Sequence, residues 1–378
     1  MNKKRLIEEF ASLVYIDSPT FGEKTMGAYL RRALTELGLT VSEDAAGDGH
    51  PDGCGNILGF LDGDDSLGAP LLLCAHMDTV SPALGKCAVI REDGRITSNG
   101  TTVLGADDAS GIAAILEALH TLRESGQPHR PVEVLFTVAE EVYCSGAAQF
   151  DFTRLRAKEA YVLDLSGPVG SAAYSAPSIL FFTATVRGRS AHAGFEPEKG
   201  VHAIAAAASA ISALKLGHVD GDTTLNVGVI SGGLATNIVP DTCEVRGEVR
   251  SFSHEAALAQ IEAVKQQFQR CAQAAGAAVD FEVSSGCQAY QTPTNSPVVQ
   301  RFQSCCAALG IQPRLDRTFG GSDNNYLAAN GVSGLVIASG MYDCHTVGEY
   351  TTIDDLVKAA ELTLALILSN DGGTACVP

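Results

Sequence analysis

Positive charge is scarce in this chain: 26 Lys and Arg stand against 44 Asp and Glu, a formal net charge of -18 over 378 residues. No basic run exceeds Lys3-Lys4-Arg5, so a phosphate-backbone partner is not expected. Long apolar runs are missing too. The longest are far too short to span a bilayer, and the charged Met1–Phe10 stretch lacks the apolar core of a signal peptide, so no membrane partner and a cytoplasmic location are expected. Eleven cysteines include no C-x-x-C pair, which argues against a thiolate zinc site and a disulfide framework and for a reducing compartment. No internal repeat is visible.

What is present is an ordinary globular composition, 46% hydrophobic and 19% charged, at a length that suits two domains or one with an insertion. Leu6, Phe10, Leu13 and Val14 recur at helical spacing, and Thr20 with Glu23 reads as a capping box opening a second helix that Gly38 closes. Leu71–Ala75, Val132–Val138 and Ala160–Leu165 are continuous apolar segments, as in strands buried on both faces, with an Ala/Leu-rich helix over Asp108–Leu122 and a hairpin about Asp93-Gly94. Strands alternating with helices predict an α/β fold with a mainly parallel mixed sheet and flanking helices.

From Ser178 the texture changes. Strands at Ile179–Val186, Thr224–Ile230 and Cys243–Arg250 and helices at Gly200–Leu214 and Glu255–Ala275 predict a smaller α+β domain, followed by a linker over Ser284–Pro297. A strand at Gly334–Ala338 and a helix at Ile353–Leu368 then resume the first pattern. The expected division is a discontinuous catalytic domain, 1–177 and 287–378, with an inserted domain at 178–286.

Polar clusters follow the predicted strands: His76-x-Asp78, Asp107-Asp108, Glu140-Glu141 and Asp164, with His345 late in the chain. Two imidazoles and several carboxylates suit Zn²⁺, Mn²⁺ or Co²⁺, and a pair of such ions needs a bridging carboxylate. At i and i+2 of an extended segment, Asp78 can accept the second ring N–H of His76. The adjacent Glu140 and Glu141 diverge, so one can bind metal while the other takes a proton from water. Asp107-Asp108 taken alone would be an ordinary helix cap.

The chain resembles the M20 dinuclear metallopeptidases, most closely their tripeptidase (peptidase T)-like branch. The resemblance covers nearly the whole chain and rests on Ala75–Val80, Gly105–Asp108, Ala139–Glu141, the Asp164 segment, Ser190–Gly194, Asn237–Pro240 and His345–Tyr350. It implies two divalent ions, zinc with Mn or Co as alternatives, bridged by Asp107. His76 and Asp164 would complete one shell, Glu141 and His345 the other. Glu140 would be the general base, Asp78 the support of His76, and the peptide after Asp107 cis.

The resemblance further implies that the inserted domain is a lid and dimerisation module. His192 would reach the active site of the other subunit of a homodimer, Asn237 and Arg250 would hold substrate, and Gly320, Gly321 and Ser322 would line the pocket. Two departures bear on substrate choice: Ala109 stands where a Lys is common after the acidic pair, and Thr318-Phe319 where an Arg often precedes the glycines. Asp164, where carboxypeptidases and deacylases carry Glu, favours a di- or tripeptide aminopeptidase on small peptides. The alternatives are a carboxypeptidase or N-acyl-amino-acid deacylase, or a catalytically silent peptide binder. The other histidines are read as structural or surface groups, and Cys74, Cys144 and Cys344 as packing residues.

Overall fold

The protein is described from a computed structural model that covers residues 1–370; the last eight residues of the expected catalytic domain, 371–378, lie outside the described part. The chain forms two compact units. One comprises Met1–Ser175, Gln291–Thr318 and the chain from Ser322 onward; the other comprises Ala176–Tyr290 with Phe319–Gly321.

The first unit is built on a large mixed sheet. Its centre is parallel: Val132–Thr137, Leu71–His76, Glu159–Ser166 and Ser333–Tyr342 lie side by side in that order. Every residue of Leu71–His76 and Val132–Thr137 is buried, which is why these strands read as continuous apolar runs. The one carboxylate among them, Glu133, is satisfied by the backbone amides of Arg156 and Ala157. Antiparallel strands flank the centre. Ile57–Leu61 and then Thr40–Glu43 extend one side, Tyr350–Thr352, Arg95–Thr97 and Val89–Ile90 the other. Ile57–Leu61, Thr40–Glu43 and Ser171–Ala176 are strands beyond those expected from the sequence.

The helix Ala106–Ser125 packs between the sheet and the helices Lys3–Tyr15 and Ile353–Leu368 and is buried almost all round. Leu6, Phe10, Leu13 and Val14 are all buried, as their spacing predicts. The expected capping box of the second helix, Lys24–Glu36, does not form. Glu23 instead accepts the amides of Phe21 and Ala139, each at 3.0 Å, and Thr20 donates its hydroxyl to Asp78 at 2.8 Å. Long-range partners win over the local cap because Ala139 and Asp78 sit where the sheet's loops converge.

The second unit is a five-stranded antiparallel sheet in the order Gly217–His218, Thr223–Gly232, Thr242–Ser251, Ser178–Arg187, Ala278–Cys287. The helices Ala203–Ser212 and His254–Ala274 pack on it around Phe182, Val186, Val245 and Phe268. The strand Ala278–Cys287 overlaps the segment read from sequence as a linker. Its alternation of Val279, Phe281 and Val283 with Asp280 and Glu282 is the period-two signal of a half-buried strand.

One ion pair supports the central helix. Glu117, 1% exposed, receives Arg5 Nε at 2.6 Å and Nη2 at 2.9 Å, and Arg5 also reaches Glu124. Breaking a buried pair leaves a charge uncompensated, so Arg5→Ala should cost about 3 kcal/mol in urea unfolding. Lys3→Ala, which removes an exposed contact to Asp354, should change stability by less than about 0.5 kcal/mol. Equal effects of the two substitutions would contradict this assignment.

Candidate metal centre

The parallel strands all deliver their ends to one place. His76 is the last residue of its strand, Glu140 and Glu141 follow Thr137, and Asp164 lies near the end of Glu159–Ser166. Asp107 opens the central helix, and His345 lies on the turn between Ser333–Tyr342 and Tyr350–Thr352. Open α/β sheets collect ligand-binding groups at such strand ends.

Asp107 lies between the two imidazoles. Its Oδ1 is 2.9 Å from His76 Nε2 and its Oδ2 is 3.2 Å from His345 Nε2. Beyond His76, Asp164 Oδ1 lies 3.8 Å from the same Nε2; beyond His345, Glu141 Oε2 lies at 3.1 Å. The peptide between Asp107 and Asp108 is cis, and the two acids divide two tasks. Asp108 does what a helix-capping acid does, accepting the Gly111 amide at 3.1 Å, and also takes the His76 amide at 3.2 Å. Asp107 has non-helical backbone angles and turns to the histidines.

Asp78 is fully buried and holds the acidic pair by its main chain, accepting the amides of Glu140 at 2.9 Å and Glu141 at 3.3 Å. The nearer partner of His76 Nδ1 is the Asp78 carbonyl oxygen at 3.0 Å, with the carboxylate at 3.6 Å. The tautomer of His76 is therefore set mainly by the backbone of Asp78, and its side chain orients Glu140 and Glu141. Glu140 receives the Cys144 thiol at 3.2 Å.

Burial first, then the charges of Glu140 and Asp107, hold the Asp164 carboxyl well above its usual range. Glu140 is raised by burial as well, with Asp323, Glu141 and Asp78 adding to the effect and His76 opposing it. Asp107 goes the other way: burial disfavours its charge, but the hydrogen bonds of His345 and His76 overcome this and lower it. Burial opposes the charged form of His76 too, yet Asp107 and Asp78 raise it, and Asp107 and Glu141 push His345 up to about 10. Such a set of groups draws in positive charge, as protons or as metal.

Metal fits better than protons at one atom in particular. Glu141 Oε1 is buried with no hydrogen-bond partner, an acceptor left without a cation or donor. Among the described residues, three donor groupings have ligand atoms close enough for one ion: His76 with Asp107 and Glu141, His76 with Glu140 and Asp164, and Glu140 with Cys144 and Asp323. The cysteines serve as protonated groups here, since burial pushes the Cys74 and Cys344 thiols up.

Several supporting residues have no role assigned from the sequence. Asp323 is buried against Thr137 and Cys74, with burial pushing it up to about 6, and Glu349 accepts two amides of the Asp107 loop. Lys86 is buried with its ammonium 3.0 Å from the Thr79 hydroxyl, and burial brings it down to about 8. Contacts distant in sequence give Asp323 and Glu349 their places, while Lys86 reaches a residue of the His76 loop.

Of the remaining expected residues, His192, Asn237 and Arg250 belong to the second unit. His192 is exposed on the second unit, stacked on Phe195 at 4.2 Å between ring centroids, and its Nδ1 accepts the amides of Gly194 and Phe195. That leaves the ring proton on Nε2, which makes the outward nitrogen a donor. The two motifs of this unit are joined: Ala193 donates to the Asn237 carbonyl at 3.0 Å and Val239 to the Ala191 carbonyl at 2.9 Å. Arg250 is engaged by Glu248 at 2.8 Å and by the Phe319 carbonyl. Gly320 and Gly321 belong to the second unit, while Ser322 belongs to the first, where its hydroxyl caps the helix Asp323–Ala329.

Comparison with known proteins bears on the same residues. The model of peptidase family M20/M25/M40 matches residues 72–369. A Bacillus subtilis (strain 168) protein called uncharacterized protein YqjE is 37% identical over 367 residues, covering 97% of this chain and 98% of its own length. Among solved structures, a tripeptidase from Staphylococcus aureus subsp. aureus Mu50 superposes with a TM-score of 0.93 at 34% identity, and aminopeptidase PepT from Bacillus cereus ATCC 10987 with 0.90 at 38%. Each alignment covers 97% of this chain and 98% of the other. A cluster of imidazoles and carboxylates at the strand ends, within a chain matched along almost its full length, leads to one assignment: the protein belongs to peptidase family M20/M25/M40 and is a hydrolase.

Proposed function

We propose that the protein is a cytoplasmic di- or tripeptide aminopeptidase that works with two divalent ions, zinc by the chemistry of its donors. The carrying observation is Asp107, which offers one carboxylate oxygen to each of two imidazoles. His76 and Asp164 would hold one ion, Glu141 and His345 the other, and Asp107 both. Bound there, the ions would polarise the scissile carbonyl and make water more acidic.

Glu140 takes a proton from the attacking water and returns it to the leaving amine. Asp78 holds the Glu140 amide and so the direction of its side chain. His192 of one subunit donates from Nε2 to the developing oxyanion in the other, in a homodimer formed through the inserted domain, 178–286. Asn237, Gly320, Gly321 and Ser322 border the bound peptide, and the peptide's carboxylate takes the place of Glu248 on Arg250. The relatives described as a tripeptidase and an aminopeptidase support this substrate class. Ten free cysteines among the described residues suit a reducing compartment, and no helix among the described residues is long and apolar enough to cross a membrane.

Exhaustive chelation should abolish hydrolysis of a small tripeptide panel, and Zn²⁺, Mn²⁺ or Co²⁺ should restore it. Cleavage should require a free amino terminus. Hydrolysis of N-acyl amino acids in place of these peptides would point to the deacylase reading, and peptides bound but uncut to a silent binder.

Glu140→Gln should retain both ions and lose turnover by about a hundredfold or more. Glu141→Gln and His345→Ala should lower metal content as well. Elemental analysis checks the distinction, and equal metal loss in Glu140→Gln would reverse the roles of the two acids.

Inactive Glu140→Ala and His192→Ala proteins, allowed to exchange subunits, should regain activity. Free reassortment of a two-fold dimer restores about a quarter of wild-type sites, because half the dimers are mixed and each has one complete site. Demonstrated exchange without recovery would remove His192 from the partner's chemistry.

A further inference from the structure

Glu349 ends the His345-Thr346-Val347-Gly348-Glu349 run, and the proposed reaction gives it no role. Its side chain is buried, 1% exposed. Oε2 accepts the Gly105 amide at 2.7 Å and Oε1 accepts the Asp107 amide at 2.9 Å. The second donor is the main chain of the very residue whose side chain lies between the imidazoles. Gly105 is suited to this approach: at φ 74 it adopts the left-handed region, and a Cβ there would lie 3.1 Å from Thr79 Cγ2 and 3.3 Å from the Lys86 side chain.

The other end of the connection is equally defined. Glu349 donates its own amide to the Thr346 carbonyl at 3.2 Å, which closes the turn that carries His345. Met341 pairs with Thr351 and Tyr342 with Tyr350 at the base of that turn. Glu349 thus joins two loops separated by more than two hundred residues, one bearing Asp107 and one bearing His345.

We propose that Glu349 is a positioning residue, which sets the distance between the Asp107 carboxylate and the His345 imidazole at which the ion shared by them binds. The inference rests on the reading of Asp107 and His345 as metal ligands. A carboxylate that accepts two amides is not replaced by an amide side chain, because Gln offers one carbonyl oxygen and turns an N–H₂ toward the second donor.

The experiment measures Zn²⁺ binding to metal-free protein by competition with a chromophoric chelator. Glu349→Gln should bind one of the two ions about tenfold to a hundredfold more weakly, the scale seen when a group supporting a metal ligand is removed. Circular dichroism confirms the fold, and Glu349→Asp is measured in the same way should Glu349→Gln not fold. Arg5→Ala, which destabilises the unit without touching the metal centre, serves as the control and should bind Zn²⁺ as the wild type does. Unchanged affinities in the Glu349 variants, or the same weakening in Arg5→Ala, would overturn the proposal. Wild-type protein that binds no divalent ion would instead overturn the metal reading itself.

Discussion

Crowding of buried negative charge organises the first unit. Asp78, Asp107, Asp108, Glu140 and Asp323 are all buried, Asp164 and Glu141 are nearly so, and two imidazoles share their space. Carboxylates so close cannot all ionise without cations, because burial and mutual repulsion both favour the neutral forms. The directions of the shifts show how the conflict resolves. Asp107, between the histidines, keeps its charge, while Asp164 and Glu140 are driven toward protonation. In the proposed reaction, divalent ions would relieve the same conflict without protons and would leave Glu140 free to act as a base.

The loops that carry these side chains are held by carboxylates as well, acting on the main chain. Asp78 holds the amides of Glu140 and Glu141, Glu23 that of Ala139, Asp108 that of His76, and Glu349 those of Gly105 and Asp107. Each buried acid satisfies backbone donors that a loop at a strand end would otherwise leave unpaired. Acids that bind and acids that support are therefore mixed in one volume, and identity alone does not separate them.

That mixture explains what the sequence could show. Runs such as Leu71–Ala75 announce central strands because both faces are buried, and the final helix was expected over Ile353–Leu368, where it is found. The last four residues of Ala278–Cys287 read as the start of a linker, Ser284–Pro297, because Ser284-Ser285-Gly286 carries no apolar signal. At the centre, ordered motifs identified the residues that converge on Asp107. Glu23 reads as a local cap, and Glu349, though inside the His345–Tyr350 motif, and Asp323 receive no role of their own, because their partners lie far away in the chain and no spacing rule reaches them.

The order of the segments has a consequence for how the chain is made. Four members of the cluster, His76, Asp107, Glu141 and Asp164, precede the second unit in the sequence, and His345 follows it. The strand Ser333–Tyr342, which pairs with Glu159–Ser166, also comes after the insertion. Synthesis from the amino terminus therefore brings out all five strands of the second unit while the first unit still lacks a central strand and one imidazole, and domains generally fold as units during synthesis. The nascent chain holds an incomplete set of donors until more than nine-tenths of the described residues have been joined. With His345 among the proposed ligands, hydrolytic capacity arrives late in synthesis, when of the described elements only the strand Tyr350–Thr352 and the helix Ile353–Leu368 are still to come.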